Sequence, residues 1–203
     1  MTTPRIRLSP DTRREQLLDL GVKLLATRPL EKLSIDLLAE AAGISRGLLY
    51  HYFGNKQDFH EAVVRRATED LFALTAPTDD PDPLARLSGS LDGYLGFVET
   101  NRQGYQSLVR AAYSGNPTMR EIYESARAAL TDRIFDEAEP GVLEEFGIED
   151  TPALRLMVRG WSAMVEHVVL AWVEDSGGID RQALLDSLSQ ALFQIMTTAP
   201  KAD

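Results

Sequence analysis

A chain of 203 residues can bury one medium core or two small ones, and 44% apolar with 26% charged residues is the balance of a water-soluble globular protein. The absence of cysteine excludes disulfides, thiolate metal sites and cysteine nucleophiles. The net charge of −10 is unevenly spread: residues 1–66 hold 11 Lys/Arg against 8 Asp/Glu, whereas residues 67–203 hold 10 against 23. Only the mildly basic amino-terminal third is suited to approach phosphates, and the acidic remainder is repelled by them. No amino-terminal apolar run suits a signal peptide, and no stretch approaches the ~20 apolar residues of a membrane span. The expectation is a soluble, cytoplasmic protein with no membrane partner.

In chain order, every long periodic segment has helical spacing. Leu17, Leu18, Gly21, Leu24 and Leu25 form one stripe on a helix over 11–27, opened by Ser9 as N-cap and Pro10 at the first position and ended by Pro29. Short helices are expected over 34–41 and 45–52. A longer one follows over 56–74, with Phe59, Val63, Ala67, Leu71 and Leu74 at three- and four-residue steps. Three prolines and three aspartates within 76–83 make the best linker. Beyond it helices are predicted over 84–100, 103–114, 118–138, 152–174 and 180–197, about nine in all. No alternating strand pattern occurs, so the fold class is all-α. The division expected is an amino-terminal helical domain over 1–55, with a helix-turn-helix at about 33–52, and a second helical domain over 56–203.

The segment from Ser34 to Phe53 carries the chemistry. Two helices packed across a tight turn need a small residue at their closest approach, supplied by Ala39. The turn needs a residue that tolerates positive φ, supplied by Gly43. Leu38, Ala42, Ile44 and Leu49 are placed to fill the wedge between the helices, and Ser34 and Ser45 are good N-caps. Such a corner alone also fits an ordinary helical protein. The exposed side of the second helix argues for nucleic acid: Ser45, Arg46, Gly47, Tyr50 and His51 offer donors and bare backbone near a helix N-terminus, and Lys56 adds a cation.

From Arg14 through Leu71 the chain resembles the amino-terminal domain of the TetR family of repressors. Ser34, Ala39, Ala42-Gly43-Ile44-Ser45, Tyr50, Phe53 and Lys56 stand in the places of that family's motif. The resemblance implies a three-helix DNA-binding domain followed by a helical ligand-binding and dimerisation domain. It further implies phosphate contacts from Ser34, Tyr50, His51 and Lys56, with Arg46, Gly47 and Leu48 facing base edges in the major groove. Arg46 is the foremost candidate for reading sequence, because its fork matches guanine O6 and N7; the alternatives are a phosphate contact or a solvated charge. Tyr52 and Phe53 are expected to anchor the helix, and Arg5 and Arg7 to form either a DNA-tracking arm or a tail. Gly21, Leu25 and Pro29 depart from the family's usual alanine, phenylalanine and glycine. Asp36 stands where a basic residue is common, which offsets phosphate attraction.

Farther along, Leu154, Val158, Trp161, Val165, Val168 and Trp172 form a stripe on one helix, and Leu184, Leu188, Ala191 and Ile195 another on the last. Apart from Trp161, these residues are expected to build a four-helix dimer interface across a two-fold axis, although part of each stripe must serve the protomer's own core. Aromatic residues are frequent over 84–172, and the resemblance implies a ligand cavity there. Tyr94, Val98, Leu108, Tyr123, Arg127, Trp161 and Met164 are its candidate lining, for a small hydrophobic or aromatic effector. Arg127 is either the counter-ion of an acidic effector or an exposed charge. With only His51, His60 and His167, and no carboxylates at ligand spacing, neither a metal nor a cofactor is expected.

The reading that follows is a homodimeric transcriptional repressor on double-stranded DNA, released from a palindromic operator by a small-molecule effector. A DNA-binding regulator without such an effector is the alternative, and activation stays open beside repression. An all-helical enzyme is a poor fit, because no nucleophile–base pair, phosphate loop or metal spacing is visible.

Overall fold

In a computed structural model that describes residues 9–138 and 140–198, the chain is all-helical. Arg5 and Arg7 lie outside the described residues. Ten α-helices occur among those described: α1 (Pro10–Ala26), α2 (Ile35–Ala42), α3 (Arg46–Phe53), α4 (Lys56–Leu74), α5 (Pro83–Thr100), α6 (Arg102–Tyr113), α7 (Pro117–Asp136), α8 (Val142–Glu145), α9 (Pro152–Glu174) and α10 (Arg181–Thr198). A 3-10 turn, Leu30–Lys32, joins α1 to α2. That turn and the single-turn α8 have no counterpart in the sequence reading, since segments so short leave no periodicity to detect.

The expected starts have their physical cause in place. Ser9 Oγ accepts from the Thr12 N–H and Pro10 begins α1. Asn55 Oδ1 accepts from the Asp58 N–H at the head of α4, and Thr151 Oγ1 does the same for Leu154 before α9. Each satisfies a donor that the first turn of a helix leaves without a partner.

Two compact units divide the chain. One comprises residues up to Glu69 with Gln103–Arg120, and the other Asp70–Arg102 with the residues from Glu121 onward. The break expected at 55/56 coincides with the start of α4, whereas the units divide inside that helix, between Glu69 and Asp70. In the first unit Leu17, Leu18, Leu25, Leu33, Leu38, Leu49, Phe53, Phe59, Val63 and Val64 make the core. Arg66 on α4 donates to Glu15 and Asp19 of α1. His60 is buried with Nε2 2.6 Å from the Leu33 carbonyl, and burial lowers its pKa from the ordinary histidine value. A Cβ on Gly104 of α6 would sit 2.4 Å from the Leu25 carbonyl oxygen, so only glycine permits that approach to α1. Leu74, expected on the buried stripe of α4, is 60% exposed; the stripe ends at Leu71.

In the second unit α10 packs against α9 and α5, and α5 against α9. Leu91, Leu95, Val98, Leu154, Val158, Trp161, Val165, Val169, Leu184, Leu185, Leu188 and Leu192 fill its interior. Arg133 of α7 is buried with its guanidinium over the Phe72 ring, 3.2 Å from the centroid. Its Nη2 donates to the Phe72 carbonyl at 2.8 Å, satisfying one of the acceptors that the end of α4 leaves open.

The residues expected to form the dimer seam lie largely inside the single chain. Leu154, Val158, Val165, Leu184 and Leu188 are buried there. Val168, Trp172, Ala191 and Ile195 are half-buried. Trp161 Nε1 donates to the Leu188 carbonyl and Trp172 Nε1 to the Ile179 carbonyl, which ties both rings to the protomer's own backbone. A second stripe on α9, offset by one residue or about 100°, faces outward instead: Ala153, Met157, Gly160, Met164, His167 and Ala171, flanked by Leu156 and Ala163. Leu156 is 66% exposed and Met157 47%. These two stripes together explain why α9 alone is long and apolar enough to cross a membrane by length and composition among the described residues.

Candidate nucleic-acid interface

Helix α2 ends in a Schellman arrangement. Gly43 takes φ 63° and ψ 37°, and the Ile44 N–H donates back to the Ala39 carbonyl at 3.1 Å. A residue with a Cβ pays for that left-handed backbone, so the expected role of Gly43 is met in geometry. The turn is closed by the two serines. Ser34 Oγ accepts from the Leu37 N–H at 3.1 Å, and Ser45 Oγ accepts from the Leu48 N–H at 3.3 Å. Each cap uses the hydroxyl's acceptor side and leaves its O–H to donate outward.

Helix α3 has two unlike faces. Leu49 and Phe53 are buried, with the Phe53 ring tilted against Phe59 at 5.2 Å between centroids and beneath the Arg14 guanidinium. Ser45, Arg46, Gly47, Leu48, Tyr50 and His51 are all exposed. Gly47 has nothing within 4 Å of where a Cβ would stand, so the first turn presents bare backbone at the positive end of the helix. Tyr52 is half-buried and meets the His51 ring edge-on. Lys56, the first residue of α4, is exposed and donates from Nζ to the Glu31 carbonyl at 3.3 Å. Asp36 stood out in the sequence, but its pairing did not: its carboxylate lies 2.5 Å from Arg46 Nε. The two are separated by the turn, and no periodicity marks such a pair.

The candidate effector residues are only partly brought together. Tyr94, Val98, Tyr123 and Trp161 are buried in the second unit, whereas Leu108 belongs to the first unit and Met164 lies on the outward stripe of α9 at 40% exposure. Tyr123 and Arg127 of α7 form one polar cluster with α9. The Tyr123 hydroxyl donates to Glu166 Oε1 at 2.7 Å, Arg127 Nη1 donates to the Tyr123 hydroxyl at 3.2 Å, and Arg127 Nε donates to Ser162 Oγ at 3.2 Å. Arg127 is therefore a half-buried, hydrogen-bonded cation and not the solvated charge that was one of its two readings. Ser162 and Glu166 carried no signal in sequence, since single polar residues on an apolar helix are common.

A capped helix-turn-helix followed by a second helical unit defines a helix-turn-helix transcriptional regulator, and comparison with known proteins places it more closely. Residues 17–63 match the family described as bacterial regulatory proteins, tetR family, and residues 83–195 match the tetracyclin repressor-like C-terminal domain. The chain belongs to the TetR family of DNA-binding transcriptional regulators. It is 27% identical over 199 residues to the HTH-type transcriptional activator FasR of Mycolicibacterium smegmatis, covering 96% of this chain and 87% of that one. Over 60 residues it is 40% identical to the HTH-type transcriptional repressor KstR2 of Rhodococcus jostii, covering 30% of this chain and 29% of the relative. A TetR-family regulator structure from Streptomyces coelicolor superposes with a TM-score of 0.77 at 30% identity, covering 93% of this chain and 82% of that one.

Proposed function

We propose that the protein is a homodimeric, cytoplasmic repressor that places α3 in the major groove of a palindromic operator and releases it on binding a small hydrophobic or aromatic effector. The observation that carries the reading is the split face of α3: Ser45, Arg46, Gly47, Leu48, Tyr50 and His51 are exposed, and all but Leu48 are polar, small or aromatic, while Leu49 and Phe53 fix the helix to the core. In this reading Arg46, Gly47 and Leu48 meet base edges. Ser34, Ser45, Tyr50, His51 and Lys56 hold phosphates, through hydroxyl and ring donors, helix N-terminal backbone and one ammonium.

A two-fold operator requires a two-fold protein. The outward stripe of α9 supplies the contact surface, because small residues at Ala153, Gly160, Ala163 and Ala171 allow close helix approach while Leu156, Met157 and Met164 supply apolar area. The effector is held in the second unit. There the Tyr123–Arg127–Glu166–Ser162 cluster offers polar points, Tyr94, Val98 and Trp161 apolar surface in the same unit, and the Arg127 cation suits an acidic group. An effector that binds one protomer arrangement better than another shifts the spacing of the two α3 helices and so the affinity for DNA.

Activation is the second reading, and one observation favours it: a relative that matches along nearly the whole chain is named an activator, whereas the named repressor KstR2 of Rhodococcus jostii matches over 60 residues. Transcription in vitro from the protein's own promoter region, with and without the purified dimer, decides between them. A fall in transcript supports repression. A rise supports activation, and no change with saturating protein overturns both.

A further inference from the structure

We propose that Asp36 is a positioning residue for base reading: its carboxylate fixes the plane of the Arg46 guanidinium so that the two terminal nitrogens face a guanine. This inference rests on the reading of Arg46 as a base-contacting residue and adds the group that makes it selective.

Asp36 stands at the second position of α2 and Arg46 at the first position of α3, on opposite sides of the turn closed by Gly43. The contact runs from Asp36 Oδ1 to Arg46 Nε at 2.5 Å. The guanidinium carries five N–H donors in a planar fork, and a partner on Nε occupies the side of that fork. The Nη1–Nη2 edge stays available, and no other hydrogen bond or ion pair to this guanidinium occurs among the described residues. That edge matches the O6 and N7 acceptors of guanine in the major groove.

Two features separate this from an incidental surface pair. First, the side chains of Arg46 and Asp36 are 69% and 55% exposed, so the pair adds little to folding. Second, a carboxylate on a face that approaches DNA repels phosphates and lowers affinity for every sequence. A phosphate brought to Arg46 would meet the Asp36 charge, whereas a neutral guanine edge would not. The pair therefore gives up general affinity and restricts what Arg46 accepts, which is how a specific contact is built against competitors.

The test compares the full-length wild type with Arg46→Ala, Asp36→Asn and Asp36→Glu on one randomised duplex library, followed by single-base variants of the selected duplex. The expected wild-type profile contains a guanine that Arg46→Ala no longer prefers. Asp36→Asn should weaken that same preference by about three- to tenfold, a fraction of the roughly 5- to 150-fold that a bidentate pair supplies. It should also bind random duplexes at least as tightly as the wild type, which shows that the variant is folded. Asp36→Glu, which keeps the charge, should restore much of the preference. If Asp36→Asn raises affinity equally on all duplexes and leaves the profile unchanged, the carboxylate merely repels phosphates and the proposal falls. If Arg46→Ala instead weakens every duplex equally, the base-reading role of Arg46 itself fails, a different and separately visible result.

Discussion

The two units of the chain pose opposite problems to a helix. In α3 a single apolar stripe, Leu49 and Phe53, faces the core, Tyr52 is half-buried, and the remaining residues are exposed. In α9 two apolar stripes lie side by side, one filling the protomer and one facing outward. A helix with one stripe shows its buried side directly. A helix with two does not show which of them is buried, and the bulkier stripe draws attention first.

The largest expected effect tests that distinction directly. Val158→Asp places a charge at a fully buried site of α9 and should cost more than about 4 kcal/mol, leaving little folded protein by circular dichroism. Met157→Asp, one residue away on the outward stripe, should leave the helix content intact and yield monomers in sedimentation. If Met157→Asp remained fully dimeric, the outward stripe would lose its assigned role.

Closer to the DNA, Ser45→Ala removes the N-cap of α3. It should lower stability by about 1 kcal/mol in chemical denaturation, with a further loss in DNA affinity because the hydroxyl also faces outward. A stability loss without any change in binding would mark Ser45 as a cap alone.

The smallest effect concerns pH. His60 is held neutral by burial, with a folded-state pKa below the ordinary value of about 6.5. Below that value the unfolded chain takes up a proton that the folded chain refuses. Stability should therefore decline as pH falls through about 6.5, and level off once the folded-state pKa is passed. Denaturation midpoints of wild type and His60→Gln should converge as pH falls from about 7.5 to about 5, through the ordinary histidine value. Parallel midpoints would contradict the assignment.

How much of this was legible in the sequence follows the same contrast. The helix-turn-helix was legible because its signals are local: Ser34 and Ser45 cap the helices that follow them, and Gly43 has the positive φ its place demands. The Asp36–Arg46 pair was not, since it depends on how two helices meet across the turn. In α9 the sequence shows the Leu154-to-Trp172 stripe because its residues are large. It hides the outward one because small residues such as Ala153, Gly160 and Ala171 carry a weak apolar signal and the polar His167 interrupts the stripe. The Tyr123–Arg127 cluster was half legible: both residues stood out as candidates, but the partners Ser162 and Glu166 depend on α7 lying along α9.

The central claim is that the outer face of α3 reads DNA. It is tested most directly by fluorescence anisotropy of the wild-type protein on duplex DNA from upstream of its own gene, against random duplex of equal length, over a range of salt. The account predicts tighter binding to the upstream DNA by about a thousandfold or more, with both affinities falling as salt rises. Equal affinity for the two duplexes at every salt concentration would contradict it.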